Sequence, residues 1–236
     1  MFSQAYKEQN KLNYREYVGL ENEFDFSAAS QFCLLFNSGI REKSKVFDFG
    51  CGSLRLGRLL IPFLNVGNYY GYDPNCFLYQ EFIEKEYSYD LCKKKSAFLT
   101  NDIDLIPNEF DFIVASSVFT HTGVDLMYDH LDLLSKKIKN DGLIFATFYL
   151  SDKRNNKSNG WKYKDCFAYT DDYIKELARN KSLNCESIDW WHPRQNWYVF
   201  NKKDQILTKQ KGMPVKNLED IVTYNHNLNL PDKYFK

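Results

Sequence analysis

The sequence predicts an α/β fold built on a doubly wound, mostly parallel sheet. Short apolar segments of strand type alternate along the chain with amphipathic segments of helix type, which is the order expected when helices cover both faces of such a sheet. Near the end, the strand-like segments Cys185 to Trp190 and Trp197 to Asn201 follow each other with no helix between them. We therefore expect the sheet to finish in an antiparallel pair.

The first half of the chain begins with a predicted helix and then alternates between strands and helices. Ser27 is a good N-cap for a helix that starts at Ala28, and Val46 to Phe49 is a short apolar run typical of a central strand. In chain order, the predicted elements are helix Ala28 to Asn37 closed by Gly39, strand Val46 to Phe49, helix Leu56 to Leu64, strand Tyr69 to Tyr72, helix Asn75 to Lys85, and a strand near Ala97 to Leu99.

The second half continues the alternation. The segment Asn140-Asp141-Gly142 has the composition of a turn, which predicts a break in front of the fifth strand. Thr170 is placed to cap a late helix. The predicted elements are strand Asp111 to Ala115, helix Asp125 to Ile138, strand Leu143 to Tyr149, an insertion rich in tyrosine and lysine over Ser151 to Tyr169, a helix from Thr170 through Arg179, and the final strand pair.

Length and composition favour one domain with additions. We expect a domain over 1–203 with an N-terminal helical cap over about 1–40 and an insertion over about 151–170, followed by a charged extension over 204–236. The 31 basic and 31 acidic residues leave no global positive charge for DNA. Without a membrane-length apolar run or a signal-peptide pattern, we expect a cytoplasmic protein that does not enter the membrane. The six cysteines form no C-x-x-C pair, so we predict no metal site.

A glycine turn and an acid predict a nucleoside cofactor. Gly50 and Gly52 follow the first strand and allow a tight turn with room for a ligand against the backbone. Asp73 ends the second strand, about 20 residues further on, where an acid can accept hydrogen bonds from ribose hydroxyls. Arg55 stands where a dinucleotide-binding motif has its third glycine, and no P-loop lysine follows. Dinucleotides and P-loop chemistry are therefore disfavoured.

Three ordered segments resemble the first, second and fourth motifs of the class I S-adenosylmethionine-dependent methyltransferases. They are Phe47 to Arg58, Tyr69 to Asn75 and Phe110 to His121, and the resemblance covers roughly residues 27 to 203. It implies a Rossmann-like, seven-stranded sheet with an antiparallel last strand, and S-adenosylmethionine as cofactor. The cofactor-binding residues that this interpretation assigns are Asp48, Gly50, Cys51, Gly52, Arg55, Asp73, Asn101, Asp102, Ser116 and Phe119.

Two of the four histidines are candidate bases. Ligands of open α/β sheets bind beyond the carboxyl ends of the strands, and His121 and His192 fall in loops at that edge. A histidine can remove a proton from an acceptor near neutral pH. The segment that holds His121 borders the sulfonium in the family, and His192 belongs to a stretch similar to His-Pro-Arg-x-Gln-x-Trp of related small bacterial enzymes. A structural role is the alternative for each.

The acceptor is expected to be a small polar molecule. Ser116-Ser117-Val118-Phe119 replaces the Pro-Pro-aromatic motif of base N-methyltransferases, and the Pro-Cys of cytosine C5 enzymes is also missing. The insertion brings cations and aromatic rings to the cofactor edge, which suits an anionic acceptor, although a solvated loop would have the same composition. The predicted substrate-binding residues are Tyr149, Arg154, Trp161, Tyr163 and Arg194.

A weaker resemblance selects among acceptors. The composition, heavy in tyrosine, phenylalanine, lysine and asparagine, is similar to methyltransferases of bacterial surface polysaccharides, including enzymes that act on sugar hydroxyls or on the phosphoramidate of capsules. Two alternatives stay open at this point. One is a protein or RNA methyltransferase that docks through the charged tail, and the other is a cofactor-binding subunit without catalytic activity.

Overall fold

The structure is a computed structural model that describes residues 13–153, 159–163 and 165–202. A single sheet forms its centre, with strand order β3-β2-β1-β4-β5-β8-β7 and with β6 paired to β5. The strands are β1 Val46–Phe49, β2 Tyr69–Tyr72, β3 Phe98–Thr100, β4 Phe110–Ala115, β5 Ile138–Leu150, β6 Ala168–Tyr169, β7 Asn184–Ile188 and β8 Asn196–Asn201.

Helices cover both faces of this sheet. One face carries α2 to α5, whose buried side chains include Leu34, Leu60 and Leu78, and the other carries α6 and α7, which bury Leu131 and Leu177. The helices are α1 Tyr14–Tyr17, α2 Phe24–Asn37, α3 Gly57–Phe63, α4 Phe77–Lys85, α5 Tyr89–Lys94, α6 Val124–Lys137 and α7 Asp171–Asn180, with short 3₁₀ turns at Glu21–Glu23, Ile103–Leu105 and Phe119–His121.

Strand register brings the candidate loops to one edge. β1 runs parallel between β2 and β4, with Val46 opposite both Tyr69 and Phe112. The chain leaves β1, β2 and β4 at Phe49, Tyr72 and Ala115, so the loops that follow these strands meet at the carboxyl edge. The strand order reverses between β1 and β4, which is the position where open α/β sheets bind ligands.

The predicted doubly wound sheet with a reversed strand is confirmed. β8 pairs antiparallel with both β5 and β7, and all other pairs are parallel. The count differs from the expected seven strands because the two residues of β6, inside the predicted insertion, add a short parallel strand beside Tyr149 and Leu150.

Three details of the sequence prediction were wrong or incomplete. Helix α2 begins at Phe24 rather than after a Ser27 cap, because the 3₁₀ turn at Glu21–Glu23 leads directly into it and buries Phe24. The predicted turn at 140–142 is instead a bulge inside β5: Phe110 pairs with Ile138 and Phe112 with Leu143. Helix α5 was not predicted.

Several expectations concern residues that the structure does not describe. Arg154 of the insertion and the extension at 204–236 lie outside the described residues. Within the described ranges, no helix is long and apolar enough to cross a membrane. The same part of the chain contains no cluster of three metal-ligating side chains.

Candidate functional site

A cavity of about 600 Å³ opens at the carboxyl edge of the sheet. It lies where the loops after β1, β2 and β4 meet, and it is also lined by the N-terminal segment Glu16 to Leu20 and by Trp161, Tyr163 and Cys166. The structure brings most of the predicted site residues to its wall: Asp48, Gly50, Cys51, Gly52, Arg55, Asp73, Ser116, His121, Tyr149, Trp161, Tyr163 and Arg194.

The glycine turn has a backbone that other residues could not adopt without strain. Gly50 and Gly52 have φ of +77° and +50°. A Cβ on Gly50 would lie 2.5 Å from Val118 Cγ2, and one on Gly52 would lie 2.7 Å from Val18 Cγ1. The amides of Gly50 and Cys51 both donate to the carbonyl of Tyr72, which ties the turn to β2. The turn therefore forms a bare backbone wall of the cavity.

Asp73 is held rigidly beside this turn. Its Oδ2 accepts a hydrogen bond from the Gly52 amide at 2.9 Å, and its Oδ1 accepts one from the Asn75 amide at 2.8 Å. Burial raises the pKa of the Asp73 carboxyl to about 6, against the lowering effect of these two bonds. Each oxygen keeps a second lone pair, so the carboxylate can still accept from two neighbouring hydroxyls.

A buried acid and a partly buried arginine lie next to the turn. Asp48 accepts a hydrogen bond from the Tyr69 hydroxyl at 2.8 Å, and burial raises the pKa of its carboxyl to about 7. The Arg55 guanidinium donates to the Val18 carbonyl at 2.9 Å, and burial lowers its pKa to about 10. Arg55 forms no ion pair with a carboxylate among the described residues, so it can receive an anion in the cavity.

The N-terminal segment closes over the cavity and meets the insertion there. The rings of Tyr17 and Tyr163 stack with centroids 5.0 Å apart, and the Tyr163 hydroxyl donates to the Tyr17 carbonyl at 2.6 Å. Ser53 donates to the carbonyl of Tyr14. Sequence reasoning predicted a helical cap here and assigned Tyr163 to the site, but it did not assign Tyr14, Tyr17 or Ser53, because no motif distinguishes them.

His121 has the geometry of a neutral base. Its Nδ1 lies 3.0 Å from the carbonyl of Asp165, and a carbonyl only accepts, so Nδ1 carries the proton. The lone pair of the neutral ring is then on Nε2. Burial lowers the pKa of His121, and backbone hydrogen bonds to Asp165 and Lys162 oppose that shift. The ring packs against Trp161 and Tyr163 on the cavity wall.

His192 is not placed for the role of base. It does not line the cavity, and its Nδ1 accepts hydrogen bonds from the amides of Arg194 at 3.3 Å and Gln195 at 3.0 Å. Burial, together with the positive charges of Arg55 and Arg194, lowers the pKa of His192 to about 3. This geometry supports a structural role in shaping the loop between β7 and β8.

Three further predicted cofactor residues also lie off the cavity wall. Asn101 and Asp102 are exposed, and Asp102 caps the 3₁₀ turn by accepting a hydrogen bond from the Asp104 amide. Phe119 is fully buried and stacks on Phe148 with centroids 5.1 Å apart. The side chain of Phe119 thus belongs to the core below the site.

A polar group that the sequence did not reveal lies near Arg194. Gln195 Nε2 donates to Ser117 Oγ at 3.0 Å, and Ser117 adopts φ of +60°, which is unusual for a residue with a side chain. Arg194 lies 3.7 Å from the carboxylate of Glu23. Cys166, whose sulfur is 4.0 Å from His121 Nδ1, also lines this part of the cavity.

Comparisons with known proteins agree with this fold. No family model matches the sequence, and no curated protein matches it either. Among solved structures, magnesium protoporphyrin IX methyltransferase (ChlM) from Synechocystis PCC 6803 with bound SAM is 12% identical, with a TM-score of 0.60 over 85% of this chain and 92% of that one. The DhpI–SAH complex is 11% identical, with a TM-score of 0.59 over 85% and 93% of the two chains. The mitomycin 7-O-methyltransferase MmcR is 14% identical, with a TM-score of 0.56 over 85% and 64%.

These likenesses establish the class of fold. The sheet order, the reversed β8 and the neighbours together define the class I S-adenosylmethionine-dependent methyltransferase fold, as the sequence predicted.

The buried state of His192 predicts a pH effect on stability. Because the folded pKa is about 3 and the ordinary value is about 6.5, protonation favours the unfolded chain. The contribution of this residue is complete above about pH 6.5 and falls by up to about 1.4 kcal/mol per pH unit as the pH drops toward 3. His192→Asn keeps an acceptor for the two amides but cannot titrate, so its unfolding free energy should fall less below pH 6.5. Urea unfolding at several pH values measures this, and identical pH dependence in both proteins would contradict it.

Proposed function

We propose that this protein is an S-adenosylmethionine-dependent methyltransferase that methylates a small, polar, anionic acceptor. The observation that carries the proposal is the Asp73 carboxylate, fixed by two backbone amides beside a bare glycine turn, with two acceptor positions left for a ribose. The solved neighbours with bound SAM or SAH support the same cofactor.

The residues present suit this cofactor. The cavity volume of about 600 Å³ is within the usual range for small-molecule sites. Asp73 would hold the ribose hydroxyls, and the partly buried Arg55, which has no carboxylate partner among the described residues, would hold the carboxylate of the methionyl group. When bound, the sulfonium supplies an electrophilic methyl group and a neutral thioether leaving group.

When the methyl-accepting group of the substrate is a hydroxyl, His121 acts as the base that removes its proton. The carbonyl of Asp165 holds Nδ1–H, so the proton of the hydroxyl passes to the Nε2 lone pair. Burial keeps the imidazole neutral at pH 7, as this step requires. Trp161 and Tyr163 pack on the ring and limit its motion.

The group around Arg194 favours an anionic acceptor. Arg194 is half-exposed, and its contact with Glu23 at 3.7 Å is long for an ion pair, so a stronger anion can compete for it. Ser117 and Gln195 offer hydroxyl and amide donors nearby. A phosphate, phosphoramidate or carboxylate on a sugar-like molecule has the matching chemistry, which agrees with a role in bacterial surface-polysaccharide biosynthesis. Methyl transfer to a panel of such metabolites tests the proposal, and transfer only to RNA or protein would overturn it.

Replacing Asp73 should specifically weaken cofactor binding. Loss of one or two hydrogen bonds to a charged acceptor, at about 1.5 to 3 kcal/mol each, predicts at least about tenfold weaker binding of S-adenosylhomocysteine to Asp73→Ala by calorimetry. Asp102→Ala is the matched control, because Asp102 also accepts a backbone amide but lies off the cavity. Equal affinities of Asp73→Ala and the wild type would contradict the assignment.

Replacing His121 should separate its two functions. His121→Asn keeps a side-chain donor for the Asp165 carbonyl but cannot act as a base, so it should fold normally and lose about 10² to 10⁴ in kcat with a hydroxyl acceptor. The wild-type kcat/KM should fall on the acidic side below pH 6.5, because His121 must be neutral, and this limb should be absent in the variant. Full activity of His121→Asn would show that the acceptor oxygen is already ionised.

Replacing Arg194 and replacing Glu23 should change the KM for the acceptor in opposite directions. Arg194→Gln removes a charged hydrogen bond and should raise the acceptor KM about tenfold with little change in S-adenosylhomocysteine affinity. Glu23→Gln frees Arg194 from its contact and should lower the same KM. Steady-state kinetics with the best acceptor from the panel measures both, and parallel changes in the two variants would argue against anion recognition at Arg194.

A further inference from the structure

Gln31 on α2 has a side-chain oxygen that is open to the cavity. The residue is only 4% exposed, and it lines the cavity. Its Nε2 donates to Ser116 Oγ at 3.0 Å, which leaves Oε1 on the other side of the amide, without a hydrogen-bond partner among the described residues. In that part of the chain, the unpaired side-chain atoms that are completely buried are His130 Nδ1 and Asn201 Oδ1. Gln31 Oε1 therefore remains accessible from the cavity.

Gln31 belongs to the same wall of the cavity as Arg194. Ser30, its neighbour on α2, accepts a hydrogen bond from the Trp190 indole nitrogen at 3.0 Å, so α2 packs on the loop between β7 and β8. That loop also carries Arg194, which reaches back to Glu23 just before the start of α2. Gln31 is thus on the side of the cavity where we place the anionic group of the acceptor.

Two consecutive serines after β4 each contact a glutamine of this wall. Ser116 accepts from Gln31, and Ser117 accepts from Gln195 Nε2 at 3.0 Å. The Gln195 oxygen also lies 3.4 Å from the Ser117 hydroxyl, so both ends of that amide face one partner. Gln31 uses only its nitrogen in this way, and its oxygen is left for a ligand.

Positive charge next to Gln31 determines which donor its oxygen can take. Arg55 Nη2 lies 3.5 Å from Ser116 Oγ, the atom to which Gln31 donates. Arg194 is close to the same place, because a Cβ on Gly19 would lie 3.3 Å from Arg55 Nη1 and 4.0 Å from Arg194 Nη2. Two guanidinium groups repel an ammonium donor from this side of the cavity. A neutral donor, such as a hydroxyl, is therefore favoured.

The open oxygen also makes an apolar ligand unfavourable. A ligand that fills the cavity removes the remaining water from Gln31 Oε1. A hydroxyl replaces that water with a hydrogen bond, whereas an apolar group leaves a buried carbonyl oxygen without a partner. A cationic donor has a stronger partner elsewhere in the cavity, in the carboxylate of Asp48. A site of this kind discriminates strongly against an analogue that lacks the hydroxyl.

We propose that Gln31 determines specificity for the acceptor: its Oε1 accepts a hydrogen bond from a hydroxyl of an acceptor whose anionic group binds Arg194. The inference rests on the proposed function, since it needs an acceptor molecule in this cavity. It narrows the acceptor class from small anions in general to hydroxylated anions, such as a sugar phosphate.

Two phosphates of similar size test this preference by calorimetry. α-D-Glucose 1-phosphate carries ring hydroxyls, and cyclohexyl phosphate has none. With S-adenosylhomocysteine at saturation, the wild type should bind glucose 1-phosphate at least about tenfold more tightly than cyclohexyl phosphate. Gln31→Met keeps the length of the side chain but removes the acceptor, so it should reduce this preference about tenfold and leave the affinity for cyclohexyl phosphate unchanged. Gln80→Met is the matched control, because Gln80 is exposed on α4 and lies off the cavity.

Carbonyl ¹³C spectra of the wild-type protein, labelled at the glutamine side chains, test the contact without a variant that must bind ligand. The Gln31 signal is identified by its absence in Gln31→Met, or in Gln31→Glu if methionine disturbs the packing. Saturating glucose 1-phosphate should shift this signal, and cyclohexyl phosphate should not produce the same shift. The Gln80 signal should stay in place with both phosphates. An unchanged Gln31 signal at saturation with glucose 1-phosphate would overturn the proposal.

The outcomes separate this inference from the proposed function. If the wild type binds both phosphates equally well and Gln31→Met changes neither affinity, only this inference fails. If Gln31→Met weakens the binding of S-adenosylhomocysteine and leaves the preference between the phosphates intact, Gln31 contacts the cofactor and the inference is wrong. If the wild type binds neither phosphate, the anionic acceptor of the proposed function fails, and this inference fails with it.

Discussion

The structure of the site depends on one carboxylate that joins two loops. Asp73 directly follows β2, and its oxygens accept hydrogen bonds from the amide of Gly52 in the turn after β1 and from the amide of Asn75 in its own loop. The amides of Gly50 and Cys51 meanwhile donate to Tyr72, the last residue of β2. Because the end of β2 accepts these hydrogen bonds through both the Tyr72 carbonyl and the Asp73 carboxylate, the turn after β1 cannot move without breaking them. The burial that raises the pKa of Asp73 is thus a consequence of its structural role, and a ribose would meet a carboxylate that is already oriented.

The N-terminal segment Glu16 to Leu20, which covers the cavity, also depends on this turn. Val18 fits against Gly52 only because that residue has no Cβ, and Arg55 holds the Val18 carbonyl from below. Tyr163 then secures the neighbouring Tyr17 from the opposite side. The N-terminal segment is therefore held by contacts with both the glycine turn and Tyr163. Such a cover would exclude water from the proposed methyl transfer, in which water would be a competing nucleophile.

The sequence predicted the sheet and its ligand edge well, because those depend on local patterns. Strand periodicity, the glycine turn and the acid after β2 each carry a physical requirement that can be recognised in a few residues. The roles of Phe119 and His192 were harder to predict, since a loop residue can point to the core or to the cavity without a change of pattern. Phe119 packs in the core, where it stacks on Phe148, whereas His192 is held off the cavity by the amides of Arg194 and Gln195 in its own loop. His130 shows the opposite case: it belongs to an amphipathic helix yet lines the cavity, and its buried Nδ1 has no hydrogen-bond partner among the residues that the structure describes.

The insertion contacts both His121, the candidate base, and Tyr17 of the N-terminal segment that covers the cavity. Asp125, at the start of α6, accepts the Gly160 amide at 2.9 Å, and the Gly123 amide donates to the Gly160 carbonyl at 2.8 Å. The Lys162 amide donates to the His121 carbonyl, and the Asp165 carbonyl selects the protonated nitrogen of the His121 ring. The same short segment therefore closes the cavity and sets the tautomer of the imidazole. If the segment moved away, His121 would lose the bond that keeps its lone pair on Nε2 at the moment when water could enter. The position of the proton on His121 thus depends on backbone contacts of Lys162 and Asp165, which flank Tyr163 on the cavity wall.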